Sequence, residues 1–212
     1  MSKNKPETIL GVLISGGGTN LQAIIDACAS GDLPAKVGVV ISSRPDAYGL
    51  IRAGSHDIPH FWVDRQAFNS NDDYDKEIGR RLKEARVDLV VMAGYMRLVG
   101  APILDAYPDA VINLHPSLLP SFPGAHALRD ALEYGVKVTG ITIHFADAGY
   151  DTGSIIIQEV VPVHQDDDEK ALAERVHKVE HGHLPYAVKL WATGRLKREG
   201  RRVKILPKHT GG

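Results

Sequence analysis

The sequence predicts one doubly wound α/β domain, a single mostly parallel sheet with helices on both faces. Short apolar runs, such as residues 9–14 and 87–93, alternate with segments whose apolar residues recur at helical spacing. The second run contains no polar residue after Asp88, as expected of a parallel strand covered on both faces. No internal repeat or linker interrupts the alternation. This order of elements is typical of a Rossmann-like fold.

Composition narrows the class of protein. The 212 residues are enough for a large core, and 25 Lys and Arg against 26 Asp and Glu leave a net charge of -1. That balance argues against a nucleic-acid binder. A single cysteine excludes an intrachain disulfide framework and indicates a cytoplasmic protein. The first apolar run is too short for a signal sequence or a membrane span. We expect residues 1–212 to form one domain, with a flexible tail at 1–7.

The first strand leads into a glycine-rich loop. Residues 15–20 read Ser-Gly-Gly-Gly-Thr-Asn, and a helical stripe follows at Leu21, Ile24, Ile25 and Cys28. Strand, glycine loop and helix form an anion site, because backbone N–H groups and the helix dipole converge there. Leu21 replaces the third glycine of a dinucleotide fingerprint, and no Gly-Lys-Ser/Thr of a Walker motif follows. A single phosphate monoester is therefore favoured, and a tight turn that binds nothing is the alternative.

The remaining elements follow from the same patterns. Further strands are predicted at residues 37–41, 59–63, 87–93, 111–115, 138–145 and 154–163. Helices are predicted at residues 47–54 and 126–134, and two more begin at an Asp72 cap and at Pro102. A long helix is predicted from a capping box of Asp166 and Glu169 through Trp191, with a kink at Pro185. A hairpin at residues 195–205, turning at Glu199-Gly200 and edged by basic residues, opens the C-terminal segment 195–212.

The stretch from Asn113 to Pro116 carries the first candidate chemistry. Asn113 and His115 are two apart on a strand, so their side chains share one face, with Cα atoms roughly 6.5–7 Å apart. Pro116 ends the strand, at the edge where open α/β sheets bind ligands. The amide can donate to a developing oxyanion and the imidazole can move a proton. The plain alternative is that both residues only cap a loop.

Asp151 is the third candidate. It lies in the predicted loop 146–153 before Thr152-Gly153, where a carboxylate near His115 would stabilise the protonated imidazole and fix its orientation. The alternative is a simple turn former. His144 is expected to face packing or supporting partners. His181 and His183 point to different helix faces and make a poor metal pair, and Cys28 lies on a buried stripe. With no metal site and no covalent nucleophile predicted, the trio of Asn113, His115 and Asp151 suits direct acyl transfer through a tetrahedral intermediate.

Four motifs then identify a family. They are residues 14–24 (Ile-Ser-Gly-Gly-Gly-Thr-Asn-Leu-Gln-Ala-Ile), 93–97 (Ala-Gly-Tyr-Met-Arg), 113–120 (Asn-Leu-His-Pro-Ser-Leu-Leu-Pro) and 151–153 (Asp-Thr-Gly). With them, the chain resembles the folate-dependent phosphoribosylglycinamide (GAR) formyltransferases of purine biosynthesis over residues 9–197. The resemblance implies small-molecule substrates, GAR and the co-substrate 10-formyltetrahydrofolate, with no metal, nucleic acid or membrane partner. It also implies transfer by direct attack of the GAR amine. The oligomeric state stays open between a monomer and a weak homodimer.

The resemblance also implies residue roles. Asn113, His115 and Asp151 would be catalytic. The GAR phosphate and ribose would be bound by Gly18, Thr19, Asn20 and Glu180. The folate would be bound by Met96, Arg97, Leu98, Val99, Asn113, Asp147 and Asp151. One departure is Asn71, which stands where the family usually has an arginine, so a contact to the glutamate tail of the folate is open.

Three alternatives remain at this point. A formyltetrahydrofolate deformylase would use water in place of the amine, but such enzymes usually carry an extra N-terminal domain for which this chain has no room. A non-catalytic module that senses nucleotides or phosphate would use the glycine loop alone. A methionyl-tRNA formyltransferase is disfavoured by the charge balance, and no second nucleic-acid-binding domain is expected.

Overall fold

The computed structural model describes residues 7–208 and contains one sheet of nine strands. Most of the predicted tail 1–7, and residues 209–212, lie outside the described part. The strands are β1 Thr8–Ile14, β2 Ala35–Ser42, β3 His60–Trp62, β4 Leu89–Met92, β5 Val111–His115, β6 Val138–Phe145, β7 Ile155–Pro162, β8 Leu196–Glu199 and β9 Arg202–Ile205. The helices are α1 Thr19–Ala29, α2 Tyr48–Ser55, α3 Asn71–Glu84, α4 Ala101–Leu104, α5 Ala127–Tyr134 and α6 Glu169–Ala192.

The strand order is β3-β2-β1-β4-β5-β6-β7-β9-β8. The strands from β3 to β5 run parallel, whereas β6 is antiparallel to both β5 and β7. The order reverses between β1 and β4, which is the switch point where open α/β sheets bind ligands. The mostly parallel, doubly wound sheet predicted from the sequence is thereby confirmed.

Two apolar layers cover the sheet, one on each face. Alternation along β1 sends Leu10 and Val12 into the layer shared with α1 and α6, whereas Leu13 packs into the layer formed with α3. All three side chains are fully buried. Within residues 7–208, no helix has both the length and the apolar character needed to cross a bilayer.

Two helix starts differ from the predictions. Helix α3 is capped by Ser70, whose hydroxyl accepts the Asp73 N–H at 3.0 Å, so the Asp72 cap was wrong. Helix α6 is capped by Asp168, which accepts the Ala171 N–H at 2.7 Å, so the Asp166 cap was wrong as well. In each case several capping residue types are adjacent in the sequence, and the turn before the helix decides which one is in place. Helix α6 continues through Pro185.

The contact between β6 and β7 provides a test of the fold. A Cβ at Gly140 of β6 would lie 2.1 Å from the Glu159 carbonyl oxygen of β7. We expect Gly140→Ala to lower the free energy of unfolding by about 1–3 kcal/mol, because the strands must separate. The control is Gly182→Ala in α6, where nothing lies within 4 Å and alanine should stabilise by about 0.5–1 kcal/mol. Urea unfolding measures both, and equal effects would contradict this packing.

Candidate active site

The ends of three neighbouring parallel strands form the floor of the site. Leu13 of β1 pairs with Met92 of β4, and Met92 pairs with Asn113 of β5, so the loops after β1 and β4 meet the end of β5. Ser15 joins two of these segments, because its hydroxyl accepts the Met96 N–H at 2.8 Å. The glycine loop and the Gly94–Leu98 loop are therefore held against each other at the switch point.

Asn113 and His115 both contact the Asp151 carboxylate. The Asn113 amide nitrogen is 3.2 Å from Asp151 Oδ1, and His115 Nδ1 is 3.3 Å from Asp151 Oδ2. The two strand residues therefore face the same side of the sheet, as alternation requires. Gly124 N–H donates to Asp151 Oδ2 at 3.0 Å and helps to hold the carboxylate in place. The structure brings the three predicted residues together around one carboxylate.

The hydrogen-bond partners of His115 define its chemistry. The imidazole is 5% exposed, and its Nε2 lies 2.8 Å from the Phe122 carbonyl oxygen, which can only accept. Nε2 therefore carries a proton. Because Nδ1 faces the Asp151 carboxylate, a proton on Nδ1 would also have an acceptor. Both ring nitrogens therefore face acceptors, which fix the orientation of the imidazole at the end of β5.

The Asn113 amide has two acceptors. Its nitrogen lies 3.1 Å from His144 Nε2 as well as 3.2 Å from Asp151 Oδ1. His144 Nδ1 faces the Phe145 carbonyl oxygen at 2.9 Å, so Nδ1 carries a proton. Nε2 of a neutral ring can accept from Asn113, and Nε2 of a charged ring can donate to Asp151 Oδ1, which lies 3.7 Å away. Turning the amide around would put its oxygen against a carboxylate oxygen, so this orientation is favoured. His144 lies in the supporting position predicted for it.

The Asp151 carboxyl is ionised at neutral pH. Burial raises its pKa, but the contact from His144, the Gly124 N–H and the nearby His115 lower it more, so the pKa lies below its usual value. A carboxyl whose pKa is lower in the folded than in the unfolded chain stabilises the fold above the unfolded pKa. That contribution is lost as the pH falls through the folded pKa. The negative charge therefore remains beside His115 across the neutral range.

A cleft opens beside Asn113, His115 and Asp151, between the Gly94–Leu98 loop and the loop that carries Asp151. All seven residues predicted for the folate line it, from Met96, Arg97, Leu98 and Val99 on one wall to Asn113, Asp147 and Asp151 on the other. Met96 and Tyr150 at its rim are 65% and 68% exposed, and both present apolar area to a planar ring. A mostly apolar cleft with a few polar groups at one end suits a planar organic ligand that carries polar groups at one edge.

The glycine loop and Glu180 form a second region. Gly18 precedes α1 with φ 69°, a conformation that favours glycine, and a Cβ there would lie 2.6 Å from Gly49 Cα. Thr19 and Asn20 open α1, and Asn20 Nδ2 donates to Glu180 Oε2 at 2.8 Å. The four residues predicted for GAR are thus gathered at the start of α1. Asn20 Oδ1 is buried and has no hydrogen-bond partner among the described residues.

Several residues at the site carried no clear sequence signal. His177 Nδ1 lies 2.8 Å from Glu180 Oε2, and this hydrogen bond raises the pKa of His177. Phe122 and Gly124 act through backbone atoms, for which a sequence offers only the Pro-Gly turn signal. Arg65 Nε donates to Asn71 Oδ1 at 2.7 Å, and Arg97 Nη2 lies 3.5 Å from the same oxygen. Two guanidinium groups therefore converge on Asn71.

The other chemical candidates lie outside this arrangement. Cys28 is a half-buried residue of α1 that packs against the core layer, and burial raises its pKa to about 11. Helix α6 positions His183 against Glu159 at 3.5 Å, whereas His181 stacks beside His177. Across residues 7–208, no three His, Cys, Asp or Glu side chains are grouped so that they could hold a metal ion.

An amide, an imidazole and a carboxylate at the edge of such a sheet are what an acyl-transferring enzyme requires. The comparison with protein families agrees. The model described as formyl transferase matches residues 9–188, and the chain therefore belongs to the formyl transferase family.

Named relatives make the assignment narrower. The phosphoribosylglycinamide formyltransferase of Haemophilus influenzae is 41% identical, and the match covers 89% of both chains. The glycinamide ribonucleotide transformylase 1 structure from Symbiobacterium toebii is 50% identical, with a TM-score of 0.94 and 96% of each chain covered. The trifunctional purine biosynthetic protein adenosine-3 of Drosophila melanogaster is 46% identical, but the chain spans only 14% of its length. Within its family, the chain is one of the phosphoribosylglycinamide formyltransferases.

The environment of Cys28 allows a direct test of its part in the chemistry. With a pKa of about 11, only about one thiol in a thousand is ionised at pH 8. We expect Ellman's reagent to label Cys28 slowly in the folded protein and rapidly in urea, and Cys28→Ala to keep full activity. Rapid labelling of the folded protein with loss of activity would contradict this.

Proposed function

We propose that this protein transfers the formyl group of 10-formyltetrahydrofolate to the amine of 5'-phosphoribosylglycinamide in purine biosynthesis. The observation that carries the proposal is the contact of Asn113 and His115 with one carboxylate, Asp151, at the end of the cleft. The names of the relatives agree with it. Those names do not favour a deformylase.

Each of the two substrates would bind in one region of the site. The folate would occupy the cleft, with its ring system against Met96, Leu98 and Val99 and its polar edge toward Asp147 and Asp151. The GAR phosphate would bind the N–H groups of Gly18, Thr19 and Asn20, where the positive end of α1 favours an anion. Glu180 would accept from the ribose hydroxyls. The amine and the formyl carbon would then meet beside Asn113 and His115.

The reaction needs charge stabilisation and one proton relay. The neutral amine attacks the formyl carbon, and the C=O electrons move onto oxygen. Asn113 and the protonated His115 donate to that oxyanion, whose charge develops only at this stage. When the C–N10 bond breaks, its electrons return to the folate nitrogen, which takes a proton, while the former amine loses one. The Asp151 carboxylate, 3.3 Å from His115 Nδ1, would support the charged imidazole during the reaction, and a water bound to Asp151 would carry the proton.

The proposed donors to the oxyanion, Asn113 and His115, already have hydrogen-bond acceptors within the protein. Both hydrogens of the Asn113 amide point to His144 Nε2 and Asp151 Oδ1, at 3.1 and 3.2 Å. The formyl oxygen must therefore replace one of these acceptors or share a hydrogen with it. The His115 Nδ1–Asp151 contact of 3.3 Å is longer than the Nε2 contact of 2.8 Å to Phe122. We infer that the Nδ1 proton is the one shared with substrate.

The setting of the activity is part of the proposal. We propose that residues 1–212 act as one formyltransferase domain, as a monomer or a weak homodimer, in the cytoplasm. The single sheet that includes the hairpin β8–β9 supports one domain. The substrates would be small molecules only, without a metal.

The deciding experiment mixes the protein with 10-formyltetrahydrofolate and follows the folate absorbance before and after GAR is added. We expect a change only after GAR is added. A change with the folate alone would indicate a hydrolase, and binding of phosphate ligands with no turnover would indicate a sensing module.

Substitutions of the trio test the roles. We expect His115→Ala and Asn113→Ala each to lower kcat by about 10²–10³, because each removes a donor to the oxyanion. Asp151→Asn should lower kcat and move the pH–rate profile, since it removes the ionised carboxylate that contacts both Asn113 and His115. Steady-state kinetics between pH 5 and 9 measures both. Near wild-type turnover of His115→Ala would show that the assignment is wrong.

Arg65 offers a test of the open contact at Asn71. Arg65 and Arg97 converge on Asn71 Oδ1 beside the cleft, so Arg65 can supply the cation that Asn71 lacks. We expect Arg65→Gln to raise KM for the folate about 3- to 30-fold with little change in kcat, the size of a lost charge-assisted hydrogen bond. A formyl donor without the glutamate tail is the control. If KM rises equally for that donor, Arg65 does not bind the tail.

A further inference from the structure

The C-terminal hairpin β8–β9 contacts the loop that carries Asp151, although it lies beyond residues 9–188 of the family match. Arg201 Nη1, in the hairpin turn, donates to the Thr152 carbonyl oxygen at 3.1 Å. In the return direction, Ser154 Oγ donates to the Gly200 carbonyl oxygen at 3.0 Å. Ile155, the first residue of β7, pairs with Arg202. The turn is therefore bonded to three of the four residues that follow Asp151.

The Asp151 backbone needs such support. Its φ is 54°, in the left-handed region, and residues other than glycine adopt this backbone conformation only when their surroundings hold them there. Hydrogen bonds inside the loop hold its first part, since Thr152 Oγ1 and Gly149 N–H both donate to Asp147 Oδ1. On the strand side, Gly153 packs against the Phe145 carbonyl so closely that no Cβ fits. The Thr152 carbonyl, next to Asp151, is bonded by Arg201.

The hairpin is itself anchored, so it can act as a support. Arg198 pairs with Asp109, and the Trp191 ring donates to the Asp109 carbonyl oxygen at 2.8 Å. Leu196 and Val203 pack against the core layer on the α6 face. Arg201 is exposed, but the turn that presents it is connected to the core through these contacts.

We propose that Arg201 is a positioning residue, which holds the Asp151 loop from the hairpin turn by its hydrogen bond to the Thr152 carbonyl. The inference rests on the proposed role of Asp151. Arg201 contacts no predicted substrate residue, so it acts through the position of the Asp151 carboxylate between Asn113, His115 and the Gly124 N–H. Loss of Arg201 lets the loop sample arrangements in which that carboxylate is not placed.

The test compares Arg201→Gln with Arg202→Gln, the next residue, whose side chain makes no hydrogen bond or ion pair within residues 7–208. We expect Arg201→Gln to lower kcat about 3- to 10-fold and to leave KM for GAR unchanged, the size of one partly exposed hydrogen bond. Arg202→Gln should match wild type, and Arg201→Lys should recover part of kcat. Equal effects of the two Gln variants, or a change confined to KM for GAR, would overturn the proposal.

Two further measurements separate this inference from the proposed function. Hydrogen exchange of the amides in residues 146–154 should be faster in Arg201→Gln than in Arg202→Gln, and this comparison needs no turnover. In the Asp151→Asn background, Arg201→Gln should cost nothing more in kcat, because a residue acting through Asp151 is not additive with its loss. Unchanged exchange, or full additivity, would overturn the positioning role. If wild type transfers no formyl group, the proposed function fails, while the exchange result still decides whether Arg201 holds the loop.

Discussion

One carboxylate organises the site. Asp151 uses Oδ1 for the Asn113 amide and Oδ2 for both the His115 ring and the Gly124 N–H. An anion that is largely removed from water needs such donors, and in return it fixes the orientation of two side chains that neighbouring packing alone would leave free to rotate. The placement of the imidazole and the amide therefore depends on the position of the loop that carries Asp151.

The position of that loop follows from the change of strand direction in the sheet. Up to β5 the strands are parallel, and their ends form the crevice that holds the glycine loop and the Gly94–Leu98 loop. Strand β6 then runs antiparallel to β5 and pairs His144 with Asn113, so both side chains share a face. The loop after β6 folds back over that face. A parallel crossover would have carried the chain away behind a helix.

The two substrate regions are built differently. The phosphate region is mainly backbone and helix dipole, with the loop shaped by Gly18, and it depends on the close approach of Gly49. The cleft is lined mainly by side chains on loops, among them Arg97, whose guanidinium group lies 3.5 Å from Asn71 Oδ1. Backbone sites tolerate few substitutions, whereas side-chain sites can exchange a residue for a neighbour. We propose that Arg65, which donates to Asn71 Oδ1, is such an exchange.

The sequence alone determined the elements whose signal is local. Periodicity gave the sheet, the strand positions and the shared face of Asn113 and His115, because alternation is a property of one strand. The glycine loop and the hairpin turn at Gly200 were equally local. Only the tertiary structure decided which of Ser70 and Asp72 caps α3, that Glu180 meets Asn20 across 160 positions, and that Arg65 reaches Asn71. The contact between Glu180 and Asn20 depends on how two distant helices pack, which no short-range pattern encodes. The Ser70 cap and the Arg65 contact depend on the path of the chain just before α3, where several capping residues are adjacent in the sequence.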